Sequence, residues 1–120
     1  MRFRLLNNGI DIGGSNLERP DASMGIAQGV FAPSANYPYV QPVFRLYTDA
    51  VGHTGQDAEK LNTYYAAYKN LNLTLVTASG EIVLMDRIHI TDYFDELGEC
   101  ELTIVAADCE VFAQHFEADM

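Results

Sequence analysis

The sequence predicts an α+β domain: a mainly antiparallel sheet of five to six strands with two central helices packed on one face. Two observations carry this. Apolar residues alternate with period two near both ends of the chain (Phe3 and Leu5; Cys100, Leu102, Ile104 and Ala106), but recur at helical spacing between positions 40 and 68. Strand-like and helix-like segments are also segregated and the later turns are short, which favours antiparallel pairing over a wound parallel sheet. The 120 residues fit a single domain, 1–120, large enough to bury a core without disulfides or metals. Thirteen aromatics (seven Tyr, six Phe) supply burial that offsets chain entropy, which argues against disorder.

Phe3 and Leu5 alternate with Arg2 and Arg4 as a half-buried strand does. Asn8-Gly9 is the pair a tight hairpin wants, since both tolerate positive φ, and Ile10–Ile12 is a second strand ending at Gly13-Gly14-Ser15. Residues 15–23 read as a polar loop around Pro20. Met24 to Ala32 is extended, with Gly25 and Gly29 marking a bulge or a close backbone approach. Val40, Val43, Phe44, Tyr47 and Val51 share one helical face, which gives a helix over 41–51 with Pro42 in its first turn, where the missing N–H does no harm. Thr54 is placed as an N-cap with Asp57 in the first turn of a second helix over 56–70, striped by Leu61, Tyr64, Tyr65 and Tyr68.

Leu71, Leu73 and Leu75 then restore period two. After a turn at Ser79-Gly80, residues 81–91 place Ile82, Leu84, Ile88 and Ile90 on one strand face. Asp86 breaks that face, so a bulge or a partnered buried acid lies there. Gly98 centres a turn before the last strand, and Val111, Phe112, His115 and Phe116 suit either a short helix or a strand.

Charge is the strongest functional signal. No basic residue follows Arg87, and residues 92–120 carry nine acids, while residues 1–91 hold eight acids against seven bases and sum to −1. The last 29 residues therefore supply −9 of the formal −10, a one-signed field that selects cationic partners and rejects phosphates. Asp92, Asp95, Glu96, Glu99 and Glu101 are the expected docking residues, with Tyr64 and Tyr65 as aromatic contact area, because Tyr is enriched at interface hot spots. The same acids also fit solvated turns that keep a small protein soluble. A hard-cation site is a third reading of Asp92, Asp95, Glu96 and Glu99, but their spacing lacks the alternating acids and central Gly of a Ca²⁺ loop.

His89 lies near Asp86 and Asp92, and a histidine with a carboxylate can make a general base with its orienter, although no nucleophile elbow accompanies them. Gly52-His53-Thr54-Gly55 resembles an anion-presenting loop but lacks the Lys and spacing of a P-loop. No pair among His53, His89 and His115 has metal-ligand spacing, and no cofactor motif is present. Cys100 reads as a buried small hydrophobe, and Cys109 has no cation nearby to make it a nucleophile. No apolar run approaches the ~20 residues that span a bilayer, and the N-terminus lacks the apolar stretch of a secretory signal, so the expected location is cytoplasmic.

The leading expectation is a small acidic, bacterial-type, non-enzymatic domain of immunity, inhibitor or adaptor type that docks a more basic protein, with no nucleic-acid or membrane partner. The alternatives are a small enzyme or small-molecule binder using His89 with Asp86 or Asp92, and a structural subunit of a larger assembly, with homo-oligomerisation open.

Overall fold

The computed structural model of the chain describes residues 1–51, 57–93 and 98–117. Strands β1 (Phe3–Asn7) and β2 (Ile10–Ser15) form the first hairpin, and Asn8 and Gly9 take φ of 53° and 79°, the left-handed pair its two-residue turn requires. β2 does not stop at Gly13 but runs to Ser15. There β5 (Ala32–Pro33) lies so close that a Cβ on Gly13 would stand 2.4 Å from the Phe31 ring and 2.6 Å from the Ala32 carbonyl oxygen. The glycines therefore mark a close approach rather than a strand end.

The expected polar loop contains β3 (Arg19–Asp21), which pairs with β4 (Ile26–Val30). Pro20 is tolerated because β3 is an edge strand. A 3₁₀ turn (Tyr37–Tyr39) leads into α1 (Gln41–Ala50), close to the expected bounds, with Phe44 and Ala50 buried. Helix α2 (Ala58–Tyr68) is capped by Asp57, whose side chain accepts from the Lys60 N–H at 3.1 Å. The proposed Thr54 cap lies outside the described residues.

β6 (Leu73–Thr77) follows. The single strand expected over 81–91 is two strands of different sheets, the short β7 (Ile82–Val83) and the nine-residue β8 (Met85–Tyr93). Asp86 is the bulge: the β8–β9 register slips between Met85 and Arg87. An extra residue reverses which face each neighbour occupies. Ile88 and Ile90 therefore point inward as expected, whereas Ile82 and Leu84 are 58% and 61% exposed and Val83 is buried instead. β9 (Glu99–Ala106) buries Cys100, Leu102, Ile104 and Ala106. The last element is helical: Asp108 caps α3 (Cys109–Phe112), which continues as a π turn (Ala113–Glu117) and packs Phe112 and Phe116 toward Phe3.

The class is α+β and the pairing antiparallel, as the sequence indicates, but the strands divide into two sheets rather than one of five to six. Their orders are β5-β2-β1-β6-β7 and β3-β4-β9-β8. One core joins them, with Phe3, Leu5, Ile12, Leu75 and Val83 from the first sheet and Ala27, Ile88, Ile90, Leu102 and Ile104 from the second. α1 packs along β8, the open edge of the four-stranded sheet, and α2 packs on α1. This placement satisfies the edge. The Asp92 N–H donates to Thr48 Oγ1 (2.8 Å) and the Ile88 N–H to the Tyr68 hydroxyl (3.4 Å), closing off groups that would otherwise template strand addition. Among the described residues no helix is long and apolar enough to cross a membrane.

Candidate functional site

Strand alternation on β8 sorts the candidate residues. Ile88, Ile90 and Asp92 face the core, and His89, Thr91 and Tyr93 face out. Asp92 is only 3% exposed, which removes it from any docking surface. Its Oδ2 accepts from the Tyr37 hydroxyl (2.8 Å) and from Gln41 Nε2 (3.0 Å), and Arg45 Nε stands 3.8 Å away. These three groups come from the 3₁₀ turn and α1, so this carboxylate ties the helix to the sheet. Burial, then the neighbouring carboxylate, pushes the Tyr37 phenol far above its ordinary range. Cys100, opposite Asp92 on β9, is pushed up to about 12 by burial and then by Asp92.

That contrast has a direct consequence. Cys109 is exposed and Cys100 is buried. One thiol per chain is expected to react with a disulfide reagent in the native protein and a second only after unfolding; two native equivalents would contradict the packing around Asp92.

His89 is enclosed by tyrosines. Its ring stacks on Tyr47 at 4.5 Å and 3°, its Nδ1 is 2.8 Å from the Tyr64 hydroxyl, and Tyr68 lies 6.1 Å away. Burial, followed by the Arg87 charge, lowers its pKa to about 4, while burial first of all raises the Tyr64 phenol well beyond its usual value. At neutral pH the ring is therefore uncharged, and one hydrogen bond joins its Nδ1 to the Tyr64 hydroxyl. No dyad forms. Asp92 is on the opposite face, and Asp86 is exposed on the bulge beside Arg87 at 3.5 Å. Tyr64 is fully buried and offers no contact area, whereas Tyr65 is 41% exposed.

The remaining acids do not form one surface among the described residues. Asp95 and Glu96 lie outside them. Glu101 is held by Arg19 at 2.6 Å, and Asp108 is spent on capping α3. Glu99 and Glu110 are exposed. His115 lies on the π turn, with its carbonyl accepting from Arg2, and His53 lies outside the described residues. No group of three metal-ligating side chains occurs among the described residues.

What the structure does assemble is the outer face of the four-stranded sheet. Register places Glu99 beside Tyr93, and Glu101 between Val30 and Thr91. With Arg19 they line a shallow depression of about 140 Å³. Val30 is 55% exposed there. Tyr47 stacks on the outward-facing His89, and its phenol is raised by burial and then by Tyr65 and Tyr93. The sequence reading missed Val30, Arg19 and Tyr93; Tyr93 was within reach, as the next outward position after His89 and Thr91. Comparison with family models, with curated proteins and with solved structures finds no match for the chain.

Proposed function

We propose that this chain is a small, acidic, non-enzymatic binding domain of immunity, inhibitor or adaptor type, working in the cytoplasm of a bacterial-type cell and docking a more basic protein. The observation that supports this most is the outer face of the four-stranded sheet. Its inner face is packed into the core, while Val30, Thr91, Tyr93, Glu99 and the Arg19–Glu101 pair stand toward solvent beside the exposed Tyr65. An aromatic and aliphatic patch rimmed by charge is what a protein partner uses, with the patch supplying contact area and the rim setting the encounter rate. The formal charge of −10 favours a basic partner and opposes phosphate backbones.

Of the acidic and aromatic candidates, Glu99, Glu101 and Tyr65 keep the docking role, Glu101 paired with Arg19, whereas Asp92 and Tyr64 serve the fold. The test uses the immobilised chain to capture a partner from native lysate, then compares it with a Val30→Arg, Glu99→Lys variant. The captured protein is expected to be basic, to be lost with the variant, and to associate about tenfold more slowly when salt rises from about 20 mM to about 500 mM. An association rate indifferent to salt, or undiminished capture by the variant, would overturn the reading.

A further inference from the structure

The largest concavity we describe, about 410 Å³, lies away from that face, where the two sheets part company. On β6, backbone alternation turns the N–H and C=O of Leu73, Leu75 and Thr77 toward β7: the Thr77 N–H donates to the Glu81 carbonyl, and Leu75 pairs with Val83. Continuing that register would set Met85 opposite Leu73. Met85 instead pairs with Ala106 in the other sheet, because the chain changes sheets at Leu84. Among the described residues no strand pairs with Leu73 or Thr74 on that side. The vacated position is the cleft, walled by the Leu73–Leu75 edge and the start of β8, with Tyr68 and Leu71 at one end. Its rim includes Ile82 and Leu84, both more than half exposed.

We propose that this cleft binds a short extended segment of a partner protein by strand addition, with the segment's backbone pairing to Leu73 where Met85 would have stood. An unpaired strand edge specifies its ligand, since its N–H and C=O are met by another extended backbone, and alternate side chains then enter the apolar slot between the sheets. Size argues for a segment rather than a second copy. A stable interface between copies needs about 800 Å² per partner, and a slot of about 410 Å³ holds only a few residues. Charge argues the same way: two chains at −10 repel, whereas a segment with basic ends is attracted. The occupant is therefore an extended stretch with apolar residues at alternate positions and Lys or Arg flanks. This proposal does not rest on the outer-face reading, because it uses another site.

The probe is the capped peptide acetyl-Lys-Val-Thr-Val-Lys-amide, titrated into the ¹⁵N-labelled chain. Amide shifts are expected at Leu73, Thr74 and the Asp86 bulge, with a downfield Leu73 N–H and affinity in the high micromolar to millimolar range. Methylating the central peptide nitrogen should weaken binding about tenfold or more. The Ile82→Glu, Leu84→Glu variant changes only exposed side chains and should do the same without altering the unfolding midpoint by much. Shifts confined to the outer face, no shift at several millimolar peptide, equal binding of the methylated peptide, or concentration-dependent shifts at Leu73 without peptide (a second copy in the cleft) would each overturn the proposal.

Discussion

Replacing Asp92 with alanine is expected to lower the unfolding free energy by about 3 kcal/mol, the usual cost of breaking a buried charged pair from one side. The cause is what remains rather than what is removed. The Tyr37 hydroxyl and the Gln41 amide are left without the acceptor they share, and Arg45 loses a carboxylate 3.8 Å from its Nε. In a domain of this size such a change lowers the melting temperature by about 10 °C. Asp92→Asn keeps an acceptor and loses the charge, so a smaller loss of about 1–2 kcal/mol is expected. Tyr37→Phe should cost about 1 kcal/mol alone and less than that in the Asp92→Ala background, since both remove the same hydrogen bond. Urea unfolding monitored by tyrosine fluorescence measures all four variants. An Asp92→Ala protein within about 0.5 kcal/mol of wild type would show that the carboxylate does not tie α1 to the sheet.

The same residue shows how much was legible beforehand. Ile88 and Ile90 define an inward row, and counting two further reaches Asp92, so its burial follows from period two alone. Reading it first as one acid among nine concealed this. Charge composition is a property of the whole segment, whereas orientation is a property of each position. The Asn8-Gly9 turn, both helices and the bulge at Asp86 were readable because each is fixed by neighbours a few residues away. The division into two sheets was not. It depends on Met85 pairing with Ala106 rather than with Leu73, a choice between partners about twenty and twelve residues away that no local pattern encodes. The neutralisation of Glu101 by Arg19, 82 positions distant, was hidden for the same reason. The outer face could be composed only once β4, β9 and β8 were known to be neighbours.

Stability is expected to fall by about 2 kcal/mol as the pH drops from 6.5 to 4, and His89 is the cause. The unfolded chain protonates this imidazole near 6.5, but in the folded protein burial and Arg87 hold its pKa at about 4. Between those values the unfolded state binds more protons, so lowering the pH favours it. The contribution is complete above 6.5 and has been lost once the pH has fallen through 4. A shift of this size corresponds to about 3 kcal/mol, which we reduce because the half-buried ring is partly screened by solvent. Asp11, held down by its hydrogen bonds to Arg4, acts in a lower window, its contribution lost mainly as the pH falls through its ordinary value of 3.8 and below. His89→Phe keeps a ring against Tyr47 and should flatten the profile between 6.5 and 4, while Tyr64→Phe removes the hydroxyl partner of Nδ1 and costs about 1 kcal/mol at neutral pH. Urea midpoints at half-unit pH steps, together with an NMR titration of the imidazole, separate these cases. A wild-type profile that stays flat over the window, or one that His89→Phe leaves unchanged, would mean that protonation of this ring does not oppose folding and that the tyrosine enclosure tolerates the charge.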